Sequence, residues 1–141
     1  MKTDATIHYM SRIREKVNEK IQFELEKAGA VGLVPSHGDL LVALYEREPM
    51  TMTELADRIH RDRSTVTTLI GKLKRLGYVE VGKNPEDGRS NCVYLTMKGR
   101  ALHPVFVAIS EAMYEQEYQG ISEEERKHFA KLLERVYANF Q

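Results

Sequence analysis

The stretch Asp62 to Val81, DRSTVTTLIGKLKRLGYVEV, changes its hydrophobic period part-way along, and that change decides the fold. Val66, Leu69, Ile70, Leu73 and Leu76 fall at i, i+3, i+4, i+7 and i+10, the apolar stripe of an amphipathic helix. Asp62 is placed to cap its start and Gly77 to stop it. After Gly77 the period becomes two: Tyr78-Val79-Glu80-Val81 is answered by Cys92-Val93-Tyr94-Leu95, as expected of paired strands. The connection between them, Asn84-Pro85-Glu86-Asp87-Gly88-Arg89, is rich in turn formers and has no apolar residue, so the hairpin should end in an extended polar tip.

Upstream, Thr51 and Glu54 have the T-x-x-E spacing of a capping box and predict a short helix to about His60. Before it, Ser36 is a candidate N-cap for a helix through Leu40, Leu41, Leu44 and Tyr45, closed by Pro49. Ile7, Met10, Ile13, Val17, Ile21 and Leu25 stripe a first long helix, which Gly29, Gly32 and Pro35 end. Downstream, Thr96 should cap one long helix through Leu102, Val105, Phe106, Ile109 and Met113, broken near Gly120. Ser122 and Glu125 repeat the capping-box spacing ahead of a last helix carrying Phe129, Leu132, Leu133, Val136, Tyr137 and Phe140. The order predicts a mainly α chain with a small two- to three-stranded β wing: a winged helix-turn-helix at 35–100, flanked by helical dimerisation regions at 1–34 and 101–141.

Composition narrows the class. The 141 residues suit one average domain, and 42% hydrophobic with 30% charged residues describes a chain that folds. No apolar run approaches the ~20 residues of a membrane span, and Met1 to Arg14 has no signal-peptide core, so a cytoplasmic location and no membrane partner are expected. Cys92 is the only cysteine, which excludes a disulfide within the chain. The formal net charge is zero but unevenly spread. From Arg58 to Arg100 ten basic residues face four acidic ones, whereas from Glu111 to Arg135 seven acidic face four basic. A basic middle is the footprint of phosphate recognition.

Candidate contacts follow from residue type. Arg63, Ser64, Thr65, Thr67, Thr68 and Lys72 lie on or near the face of the 62–76 helix opposite its apolar stripe. Hydroxyls and cations there can meet base edges or phosphates in a major groove. Arg89 on the hairpin tip suits a minor groove, with Asp87 expected to hold its guanidinium by a charge-assisted bond. Lys83, Ser90, Lys98 and Arg100 are candidates for the DNA backbone. The bland alternatives are that the hydroxyls are only helix caps and the lysines only solvated charges.

Taken together, Met52-Thr53-Glu54-Leu55-Ala56, Ser64-Thr65-Val66-Thr67, Leu73-Lys74-Arg75-Leu76-Gly77-Tyr78-Val79, Asp87-Gly88-Arg89-Ser90 and Leu95-Thr96-Met97-Lys98-Gly99 resemble the MarR family of bacterial and archaeal regulators. The D-x-R of the hairpin followed by L-T-x-K-G is the sharpest part, and the motifs cover about 50 residues in order. The resemblance implies a homodimer with interleaved terminal helices, acting as a repressor. It implies recognition helices in successive major grooves of a pseudo-palindrome in double-stranded DNA, and Arg89-bearing wings in the minor grooves. A phenolic or other anionic small molecule, or an oxidant, would then weaken binding. From the residues alone, the stripes of the first and last helices also call for a partner surface.

No cofactor, metal site or catalytic residue is expected: the chain has no phosphate loop, no nucleophile elbow and no His/carboxylate pair with catalytic spacing. A protein-binding winged helix is the rival reading, and it would favour an apolar or mixed wing. Cys92 and the scattered His8, His37, His60, His103 and His128 are weak candidates for sensing. Tyr9, His37 and His103 suit either an effector cleft or core and rim, and Glu123, Glu124 and Glu125 read as a favourable helix start.

Overall fold

A computed structural model describes all residues, Met1–Gln141, and divides into two units, Met1–Val107 and Ala108–Gln141. The first contains helix α1 (Thr6–Lys27), α2 (Pro35–Glu46), strand β1 (Met50–Thr51), α3 (Met52–Ile59), α4 (Arg63–Arg75), β2 (Val79–Lys83), β3 (Asn91–Leu95), α5 (Met97–Ala101) and the start of α6 (His103–Glu117). The second contains the rest of α6 and α7 (Glu123–Ala138). No helix is long and apolar enough to cross a membrane.

Most helix starts sit where a side chain can satisfy free backbone N–H groups. Thr51 Oγ1 accepts from the Glu54 amide (3.1 Å), Asp62 Oδ1 from Thr65 (2.7 Å), and Ser122 Oγ from Glu125 (3.1 Å). The expected cap at Ser36 is not used. Pro35 occupies the first turn of α2, where its fixed φ and missing N–H cost nothing, so the helix starts before Ser36. His37 replaces a hydroxyl cap: its Nδ1 accepts from the Val34 amide at 2.9 Å. At the other end of α4, Gly77 takes φ +86°, and the Gly77 and Tyr78 amides donate back to Lys74 and Leu73 carbonyls.

The sheet is three-stranded and antiparallel in the order β1-β3-β2, with Val81 opposite Val93 and Met50 opposite Val93 on the other side. Leu40, Leu41 and Leu44 of α2, Leu55 of α3, and Val66, Ile70 and Leu73 of α4 close the core with Val79 and Val93. Of the α1 stripe only Leu25 is buried, while Ile7 and Ile13 remain about 60% exposed, at 60% and 58%.

The single long helix expected after Thr96 is two helices. Thr96 Oγ1 caps α5 by accepting from Gly99 (3.0 Å), and the chain then breaks at Leu102. Pro104 accounts for the break: it has no amide to continue the ladder and its ring crowds the preceding turn. In the second unit Gly120 turns the chain at φ +77° before α7. Helix α7 buries no residue, and Phe129, Leu132, Leu133 and Tyr137 are all exposed.

Candidate nucleic-acid interface

The N-terminal half of α4 is a set of short hydroxyl side chains organised by one carboxylate. Asp62 accepts from Ser64 Oγ (2.7 Å), the Thr65 amide and Thr65 Oγ1 (2.9 Å). The Ser64 hydroxyl, with the Thr65 amide and hydroxyl, holds the Asp62 carboxyl down at about 2, so it is ionised under any ordinary condition. One turn on, Thr67 Oγ1 donates to the Arg63 carbonyl (2.9 Å) and Thr68 Oγ1 to the Ser64 carbonyl (3.1 Å). Arg63 between them is exposed and forms no ion pair.

The wing tip is stiffened by its own polar groups. The Asn84 amide donates to the Ser90 carbonyl (3.0 Å), Asn84 Nδ2 to Ser90 Oγ (3.1 Å), and Asn84 Oδ1 accepts from the Glu86 amide (3.0 Å). The expected bond from Asp87 to the Arg89 guanidinium is not made. Asp87 Oδ1 instead accepts from the Arg89 backbone amide at 3.0 Å, because a short side chain two residues upstream reaches the backbone of the turn more readily than the end of a long one. The guanidinium is therefore free of carboxylates.

Arg63 and Thr67 of α4 and Arg89 and Ser90 of the wing come together. They line an open depression of about 450 Å³ with Thr51, Met52, Thr53 and Asn91. Two of the lining residues are arginines, and none is acidic. Thr51, Met52 and Thr53, legible from sequence as a capping box and part of the family run, are not assigned to the interface there, and neither is Asn91, which only the pairing of β1 with β3 brings beside them.

The other basic candidates lie apart from this depression. Lys72 is half-buried, with Nζ about 4.0 Å from where a Cβ on Gly32 would sit. Lys98 Nζ donates to the Leu76 carbonyl (2.7 Å) at the C-terminus of α4 and lies over the Tyr78 ring at 4.6 Å. A cation there opposes the negative end of the helix dipole. Arg100 pairs with Glu48 (2.7 Å), whose other oxygen accepts from the Leu95 amide (2.8 Å). Lys83 is exposed on β2 near the tip, and its carbonyl accepts from the Tyr94 hydroxyl (2.9 Å).

These contacts give the Leu95-Thr96-Met97-Lys98-Gly99 run a physical reason. Leu95 is core, Thr96 Oγ1 donates to the Gly77 carbonyl (2.6 Å), and Lys98 caps α4. At Gly99 a Cβ would come within 2.2 Å of the Tyr78 carbonyl oxygen, so only glycine fits. The Gly99 carbonyl in turn accepts from the Tyr45 hydroxyl at 2.7 Å. The run is a knot that fixes the end of α4 to the start of α5.

A model of the MarR family matches residues 31–90. The transcriptional regulator SarZ of Staphylococcus haemolyticus is 30% identical over 100 residues, covering 71% of this chain and 67% of SarZ. The chain belongs to the MarR family. It is a transcriptional regulator of that family, and its relatives are regulators rather than enzymes. The HTH-type transcriptional repressor IacR of Pseudomonas putida is 21% identical over 140 residues, covering 99% of this chain and 82% of IacR. The fold matches that of MepR from S. aureus, solved as a DNA complex, with a TM-score of 0.84, 23% identity and full coverage of both chains.

In this MarR-family chain Cys92 and His37 lie inside the fold. Cys92 is 2% exposed, and burial, with Glu54 and Glu86 nearby, pushes its thiol above the ordinary range, away from the reactive thiolate. His37 is buried, and burial followed by the charge of Lys72 lowers its pKa. His103 stacks on Tyr45 with centroids 4.3 Å apart. No three His, Cys, Asp or Glu side chains converge as a metal site would require.

Proposed function

We propose that the chain is a homodimeric repressor that binds a pseudo-palindromic DNA operator and is released by a small phenolic or anionic effector. In this reading Arg63, Ser64, Thr65, Thr67 and Thr68 enter the major groove, with Lys72 at the flank. The wing, stiffened by Asp87, carries Arg89 to the minor groove. Lys83 and Ser90 meet the backbone, and Lys98 adds its charge there while holding α4.

The observation that carries the proposal is the depression bordered by Arg63 and Arg89. Two arginines on separate elements line one open surface, and no acidic residue lines it with them. A polyanion that can touch both a helix and a hairpin tip supplies the missing charge. MepR is named in complex with DNA and IacR as a repressor, which supports the same reading here. Exposed apolar residues on α1 and α7 favour a second copy as the partner surface. The effector rests on the family alone.

The test is a DNA titration across salt concentrations, using duplexes selected from a random pool. Arg89→Ala should weaken binding about tenfold and flatten the salt dependence by about one counterion. Unchanged affinity and slope would remove the wing from the interface.

A further inference from the structure

The hydroxyl groups of α4 are already spoken for, and this bears on how a base would be read. Ser64 and Thr65 give their hydroxyl protons to Asp62, at 2.7 and 2.9 Å. Thr67 and Thr68 give theirs to the carbonyls of Arg63 and Ser64, at 2.9 and 3.1 Å. A hydroxyl has one proton, so donating it to a base would first break an existing bond and gain little. Both Thr67 and Thr68 are nevertheless exposed. With the oxygen laid back along the preceding turn, the γ-methyl is the group left on each Cβ to meet an incoming surface.

We infer that Thr67 and Thr68 recognise thymine through methyl–methyl contact in the major groove and not through hydroxyl donation, leaving Arg63 as the hydrogen-bond donor of the N-terminal half of α4. The inference rests on the proposed DNA reading and adds its chemistry. Thymine is the one natural base that places a methyl group in the major groove, and guanine offers the paired acceptors an arginine matches. The half-site would therefore combine a guanine with one or two thymines.

The experiment uses the full chain and a half-site enriched from a random duplex pool, with each thymine replaced in turn by deoxyuridine, which removes only the methyl. Wild type should lose about fourfold in affinity at one or two of these positions, the worth of one buried methyl-sized group. Thr67→Val and Thr68→Val keep the methyl and should bind within about twofold of wild type while staying sensitive to deoxyuridine. Thr67→Ser and Thr68→Ser lack it, and each should bind thymine and deoxyuridine equally at the position its own methyl meets. Valine variants that fall as far as the serine variants would show that the oxygen is used, accepting from an adenine or cytosine amine, and would overturn the inference. So would indifference to deoxyuridine at every position. In either case a half-site that still depends on Arg63 and Arg89 leaves the DNA reading standing, whereas a pool that yields no enriched sequence removes both.

Discussion

The α2–α4 core and helix α7 are made by the same local devices, but only the first is filled. Helix α4 begins at an Asp cap and ends at a left-handed glycine, and it buries Val66, Ile70 and Leu73. Helix α7 begins at a capping box and carries an apolar stripe as pronounced, yet it buries nothing, and Leu132 and Leu133 stay 43% and 38% exposed. Capping chemistry thus determines where a helix forms, and a separate surface determines whether its stripe is covered. For α7 that surface is not supplied within the second unit.

The largest expected effect follows from that contrast. If a second copy covers α7, Leu132→Glu with Leu133→Glu removes four leucines from each dimer; with only 43% and 38% of each left to cover, that is roughly 2–5 kcal/mol, and burying four carboxylates in their place adds to the loss. Sedimentation at micromolar concentration should then show monomers that keep their helical circular dichroism. Dimers that survive the double substitution would break the comparison, because the stripe would then be bare for some other reason.

Gly99→Ala probes the filled side. The new methyl meets the Tyr78 carbonyl at 2.2 Å, and the same junction is held by the Thr96–Gly77 and Tyr45–Gly99 hydrogen bonds. The expected cost is about 3 kcal/mol in urea unfolding. A variant as stable as wild type would show that the junction yields.

The smallest effect concerns pH and sharpens the picture of α2. His37 caps the helix through an unprotonated Nδ1, and its Nε2 has no partner in a buried site. Burial, then Lys72, lowers its pKa in the folded state. The unfolded chain therefore takes up the proton first. Stability is complete above the ordinary value of 6.5 and is lost as pH falls from there toward the lowered folded value. His37→Asn keeps an acceptor for the Val34 amide without titrating, so its stability should vary less between neutral and mildly acidic pH, by calorimetry. An identical slope in the two proteins would place the dependence elsewhere.

What could be read from sequence was the part that depends on neighbours in the chain. The caps at Thr51, Asp62 and Ser122, the stop at Gly77 and the change of period after it are local, and each lies where its residues predict. Two local signals yield to a neighbouring proline. Pro35 outranks Ser36 as a starter of α2, and Pro104 divides the helix expected after Thr96. Strand β1 was illegible because two residues carry no period, and its pairing with Val93 and Cys92 spans some forty positions. The basic candidates show the same limit. Charge type was visible at Lys72, Lys98 and Arg100, but Gly32, the Leu76 carbonyl and Glu48 are not sequence neighbours of those residues. The meeting of Arg63 with Arg89 was legible only through the family plan, since a helix start and a hairpin tip come together in space alone.

Cys92 gives the sheet a built-in clock. It is the one thiol in the chain, it is buried, and it faces Thr51 across β1 and Gly82 across β2. An alkylating reagent reaches it only when the packing that buries it opens. The rate of labelling therefore counts openings of the wing base at that one position, without any engineered probe.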